Sequence, residues 1–128
     1  MWAALEPLLQ RVFRTPLSDA RLLGRVIARR RWRSAGLALH LANGATFGIA
    51  FERLGGHGRM QALLAAELEN LALWPGFVVV DRFHPDRRSG AWPPLLRNPR
   101  IFGQEVAAHA VFGLVLGSFV RSRAAVRG

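Results

Sequence analysis

The stretch AGLALHLANGATFGIAF, Ala35 to Phe51, contains no Asp, Glu or Arg and places His40, Gly44 and Gly48 four residues apart. Four residues is close to one helical turn, so the three lie on nearly one face: an imidazole, then a groove without side chains. The same spacing returns as His109, Gly113 and Gly117. Such stripes suit helices packed closely in lipid, where small residues let backbones approach. Ahead of each stripe stands an echo, Leu5-Glu6-Pro7-Leu8 and then Leu68-Glu69-Asn70-Leu71, which reads as an internal repeat. The fold expected is an all-α transmembrane helical bundle of two duplicated helical hairpins, with the second and fourth helices parallel.

Composition supports a membrane setting. The chain has 128 residues, one domain by length, yet it is 51% hydrophobic and carries a formal charge of +10, so apolar and charged residues must be segregated. The segregation predicts transmembrane helices at 34–54, 60–80 and 101–120, each near the roughly 20 residues a bilayer requires. The second span contains Glu67, Glu69, Asn70 and Pro75 and needs partners within the membrane. The third has Glu105 and His109 in its first half and an apolar second half. Residues 1–13 read as a partial or interfacial helix, since Trp2-Ala3-Ala4-Leu5 opens an apolar pattern partway along. Glu6 and Pro7 interrupt that run, so no cleaved secretory signal is expected. Without cysteine there is neither a disulfide framework nor a thiolate ligand.

Residues 81–100 carry His84-Pro85-Asp86, Ser89-Gly90, Pro93-Pro94 and Asn98-Pro99, too many breaks for a long helix, and are expected to be a cytoplasmic loop. Trp92 and Leu95-Leu96 either press into the headgroup layer or pack on the helix ends. Thirteen arginines fall on the side of this loop and of residues 11–33, against five at Arg53, Arg59, Arg121, Arg123 and Arg127. The positive-inside tendency places the richer side in the cytoplasm of a multi-pass cell (inner) membrane protein, although the C-terminal arginines argue mildly the other way. Arg29, Arg30, Arg31, Trp32 and Arg33 then form a juxtamembrane cluster for the anionic headgroups of the lipid bilayer. Ser18-Asp19 after Pro16 reads as the start of a short amphipathic helix on the cytoplasmic face.

The runs Glu6-Pro7-Leu8, Arg11-Val12-Phe13, Leu22-Leu23-Gly24-Arg25, His40 through Asn43-Gly44 to Phe47-Gly48, Glu69-Asn70 with Trp74-Pro75, and His109 through Phe112-Gly113 to Gly117 together resemble a family of bacterial four-helix integral membrane proteins, a domain of unknown function. The resemblance covers nearly the whole chain and implies a four-helix fold but no particular activity. The first helix is shortened relative to that pattern.

Ionisable residues in lipid are costly and need partners. At about 1.5 Å per residue from the cytoplasmic ends, His40 lies roughly 9 Å deep, Glu6 about 10 Å, His109 roughly 12 Å and Glu69 roughly 16 Å. Glu6 with His40 and Glu69 with His109 are natural pairs, within or between hairpins. Glu105 is four residues from His109 and offers it a second partner along the helix. Glu67 turns away from the Glu69 face and joins Asn70 and Trp74. A kink is expected near Asn70, because Pro75 cannot bond the Leu71 carbonyl.

One reading makes Glu6, His40, Glu69, Asn70, Glu105 and His109 interhelical fasteners worth about 0.6 to 2 kcal/mol each, assisted by Gly44, Gly48, Gly113 and Gly117. That makes a structural or accessory membrane protein, which is the role expected from the sequence. The other makes them a proton relay or a small-solute path. No metal or other cofactor is expected, because the Glu-x-x-His spacing of di-iron bundles is missing. No enzyme is expected either, for want of a P-loop, a Gly-x-Ser-x-Gly elbow or His-Glu-x-x-His. Nucleic-acid binding has charge in its favour but no reader motif. A second copy or another membrane protein is the expected kind of protein partner.

Overall fold

A computed structural model describes residues 2–127, with side chains from 5 to 120. The side chains of Arg121, Arg123 and Arg127, counted toward the outer side, and of Trp2 lie outside the described residues. The described chain is all-helical.

Helix α1, Trp2–Phe13, stops where Arg14 takes left-handed backbone at φ +53° and the Thr15 N–H turns back to the Gln10 carbonyl at 3.1 Å. This is a Schellman-type end. Ser18 then caps α2, Asp19–Ile27, its Oγ accepting from the Arg21 N–H at 3.2 Å, as the Ser18-Asp19 pair predicts. Helix α3 spans Trp32–Arg53.

The hairpin around α3 differs from the expected one. A Cβ on Gly24 would overlap the Trp32 carbonyl and one on Gly36 would overlap that of Ala20, so α2 and α3 run antiparallel with backbones in contact. Helix α1 packs instead on α7, Pro99–Arg127, with the Phe13 ring over Gly103. The reason is local: a four-residue turn joins α2 to α3, short closures cost little entropy, and two glycines outside the His-Gly-Gly stripes remove the side chains that would hold them apart.

Helix α4, Gly58–Leu73, passes through a 3₁₀ turn at Trp74–Gly76 into α5, Phe77–Phe83. Pro75 therefore tightens the helix just beyond Asn70 without ending it, and Trp74 N–H still bonds the Asn70 carbonyl. The α4–α5 rod, Gly58–Phe83, and α7 over Pro99–Val120 are each long and apolar enough to cross a membrane. In α3 the length is present, but His40, Asn43, Thr46 and the glycines dilute its apolar character.

The two glycine stripes play different parts. A Cβ on Gly113 would sit 2.7 Å from the Ala62 carbonyl oxygen and Leu63 Cα, and one on Gly117 2.5 Å from Arg59 Cα, so α4 and α7 are antiparallel with backbones close. Arg59 Nε donates to Ser118 Oγ at 2.9 Å at the end of this seam. Gly44 and Gly48 instead face the Phe112 ring and a Leu116 methyl at 3.5 and 3.4 Å, positions that advance in the same direction along α3 and α7. Phe47 stands edge-on to Phe112, with centroids 5.5 Å apart.

The segment expected to be loop from 81 to 100 is shorter and more ordered. After α5 comes one turn of helix, α6, Pro85–Arg88, then a connection whose side chains form the core. Trp92 and Leu95 are buried against Leu17 and Ile101, with Trp74 and Phe77 alongside. Trp92 thus packs on the helix ends.

Candidate functional site: a carboxylate and imidazole layer

The polar residues of four helices meet around a cavity of about 50 Å³, lined by Asp19 of α2, His40 and Asn43 of α3, Glu69 of α4 and His109 of α7. Gly44, Phe47, Ala108 and Phe112 complete its wall. This volume exceeds the roughly 10–15 Å³ needed to admit a water molecule. Of the expected layer, the structure brings together His40, Glu69 and His109. Glu6 is not on this wall; it lies close enough to Asp19 and Glu105 to act on both. Glu6 therefore belongs to a carboxylate neighbourhood with Asp19 and Glu105, on the α1 that packs against α7.

Asp19 was legible only as a helix start. Its place follows from the antiparallel packing of α2 on α3, which carries the first residue of α2 toward His40. Burial, and secondarily the Glu6 charge, push its carboxyl up to about 7. A group with that affinity exchanges protons near neutrality.

His109 bonds the backbone carbonyl of Glu105 through Nδ1 at 2.8 Å, one turn back on its own helix. The sequence pairs these residues through side chains; the helix geometry substitutes the nearer carbonyl. This fixes the ring and leaves Nε2 as its other polar atom. Glu105 is buried, and its Oε1 has no hydrogen-bond partner among the described residues. Asn70 Nδ2 and Glu67 Oε1 are likewise buried without one. Asn70 and Trp74 belong to the face toward α7, where Trp74 meets Phe102 edge-on at 4.9 Å. Among the described residues no set of three His, Asp or Glu side chains is arranged to hold a metal ion.

A second polar assembly clamps the end of the molecule where α2, α6 and the connection to α7 meet. Asp86 is fully buried and receives Arg21 at both oxygens, 2.9 Å from Nε and 2.7 Å from Nη2, with Arg25 Nη2 at 3.2 Å. Burial alone would raise its pKa, but Arg21 and then Arg25 hold it below the usual carboxylate range. His84 stacks on Trp92, centroids 4.6 Å apart, and its Nε2 meets the Leu22 carbonyl at 3.1 Å. Burial pushes this imidazole down, offset in part by that carbonyl and by Asp86. Asp81 accepts from Arg87 and from the N–H groups of Leu95 and Leu96, which folds the connection onto α5. Thr15 Oγ1 donates to Gln104 Oε1, and Gln104 and Gln10 both donate to the Leu17 carbonyl.

Arg21 and Arg25 therefore serve structure as well as charge asymmetry. Of the expected headgroup cluster, Arg29, Arg30, Arg31 and Arg33 are exposed. Trp32 is half-buried beneath the Arg21 and Arg33 guanidiniums, at 5.9 and 5.2 Å from its ring centre. No family model, no curated protein and no solved structure matches this chain.

Proposed function

We propose that this chain is a multi-pass inner-membrane protein of the four-helix type, and that its carboxylate and imidazole layer takes up and releases protons. The observation that carries the reading is the cavity shared by Asp19, His40, Glu69 and His109. Fasteners need no cavity: two paired polar groups hold helices together best when nothing lies between them. Here carboxylates and imidazoles face a space large enough for water, and burial with the neighbouring Glu6 charge favours the protonated form of Asp19. Chains of such groups are a known means of moving protons through a bilayer interior. The surrounding helices serve to hold the layer, by glycine contacts on α7 and by the Asp86 clamp at the cytoplasmic end.

The test is proton flux into proteoliposomes under an imposed potential, comparing the unaltered chain with Asp19→Asn, Glu69→Gln and His109→Ala. The unaltered protein is expected to acidify the lumen, and each variant to lose most of that flux while retaining its helical circular dichroism. Equal leak in all four preparations and in empty vesicles would leave a structural or accessory membrane protein as the better description.

A further inference from the structure

We infer that a groove between α2 and α5 binds one anionic phospholipid, with the phosphate at Arg25 and Arg29 and an acyl chain along the apolar wall. The inference rests on the membrane reading above but not on proton handling. The groove encloses about 600 Å³, within the roughly 300–1,000 Å³ usual for ligand sites. Its wall comes from Leu23, Val26 and Ile27 on α2, Val79 and Phe83 on α5, and Leu39 on α3. Val26, Ile27, Val79 and Phe83 are each more than half exposed, so the helices hold these side chains apart without covering them.

Charge decides the occupant. Arg25 and Arg29 both line the groove, and Arg82 lies 5.5 Å from the ring centre of Phe83 at its edge. The carboxylate nearest to Arg25 is Asp86, which is already forked by Arg21 and accepts from Arg25 only through Nη2. The Arg25 Nε–H is buried and has no hydrogen-bond partner among the described residues. The Arg25 side chain as a whole is 31% exposed and lines the groove with Arg29, so a phosphate oxygen there is a natural acceptor for the outward N–H groups of both. The floor is held rigid by His84, whose Nε2 meets the Leu22 carbonyl. Basic pockets beside an apolar wall on the cytoplasmic side suit anionic lipid, whereas a free phosphate would leave the wall uncovered.

The experiment is native mass spectrometry of the full chain released from detergent after incubation with phosphatidylglycerol, phosphatidylcholine or inorganic phosphate. One retained phosphatidylglycerol is expected, with phosphatidylcholine and phosphate retained far less. Arg29→Gln, on an exposed side chain, should weaken retention about fivefold, and Arg25→Gln by a similar factor. Val79→Trp, which fills the groove and keeps both arginines, should also weaken it. Arg53→Gln, at the far end of α3, should not. Equal retention of both lipids, unchanged retention in Arg29→Gln and Val79→Trp, phosphate bound as well as lipid, or a lipid-free dimer occupying the same face would each overturn the assignment. Failure of the unaltered chain to float with neutral phosphatidylcholine vesicles would instead remove the membrane reading on which it rests.

Discussion

Asp86 lies beneath Arg21 with both carboxylate oxygens engaged, at 2.7 and 2.9 Å, across 65 residues of sequence. The pair joins α2 to the segment between α5 and α7, and so ties the short arm carrying Asp19 to the rest of the molecule. Arg25 adds a second cation. Once the carboxylate is removed, two guanidiniums are left facing each other in a partly desolvated site.

Asp86→Ala is therefore expected to destabilise the protein by about 3 kcal/mol, the lower end for breaking a buried ion pair because the arginines keep some contact with water. Thermal unfolding in detergent micelles measures it. The pH dependence has a definite sign. A carboxyl whose folded pKa is depressed contributes its stability above the unfolded value, near 4, and loses it as pH falls toward the folded value. The unaltered chain should lose stability below about pH 4 through this group, and Asp86→Asn should show a shallower decline there.

Asp19 gives the opposite slope. Its folded pKa of about 7 stands above the ordinary 3.8, so between these values the folded chain keeps a proton that the unfolded chain has released. Stability should fall as pH rises through this interval and level off above it. Asp19→Asn should flatten the curve, and Glu6→Gln should lower the titration midpoint by removing the neighbouring charge. Denaturant unfolding across the interval reads both effects; an unaltered slope in Asp19→Asn would show that the carboxyl is not held as described.

The glycines separate into two classes by what a methyl would meet. At Gly113 it would strike the backbone of Ala62 and Leu63 at 2.7 Å, so Gly113→Ala should cost about 1–3 kcal/mol by forcing α4 away from α7. At Gly44 it would touch the edge of Phe112 at 3.5 Å, an ordinary contact. Gly44→Ala should be neutral or stabilise by up to about 1 kcal/mol through helix propensity. Paired unfolding measurements on the two variants distinguish the stripes, which the sequence presents as equivalent.

That difference shows where reading the sequence stops. The spacing of His40 and His109 within apolar runs was enough to put both imidazoles in one layer with Glu69, because helical periodicity and depth depend only on local geometry. What a glycine faces depends on which helix packs there, and nothing in His-Gly-Gly says whether the neighbour presents backbone or a phenylalanine. At Gly24 and Gly36 a Cβ would overlap a backbone carbonyl of the facing helix, yet Gly24 belongs to no repeat, and Gly36, four residues ahead of His40, has no counterpart in the second stripe, where Glu105 stands. Asp19 was visible as part of a capping pair, but its place in the layer needed the antiparallel α2–α3 hairpin. Asp86 was hidden in a stretch whose prolines and glycines signal loop; its value lies in a partner 65 residues away.

Gly36 offers a way to separate the layer from the bundle that holds it. A methyl there would overlap the Ala20 carbonyl, a backbone group that can move only if α2 moves. Helix α2 is nine residues long and carries Asp19 at its first position, so a displacement pivoting about the Asp86 clamp should act most strongly at the capped end. Gly36→Ala is then expected to withdraw Asp19 from the cavity while α4 and α7 remain paired through Gly113 and Gly117. Removed from burial, Asp19 should titrate closer to an ordinary carboxyl, and the stability curve of Gly36→Ala should resemble that of Asp19→Asn. Proton flux should fall even though Glu69 and His109 are intact. Carboxyl infrared bands followed through a pH titration test this directly: a protonated Asp19 band persisting near neutrality in Gly36→Ala would show that α2 yields elsewhere and that its glycine contact does not set the position of the acid.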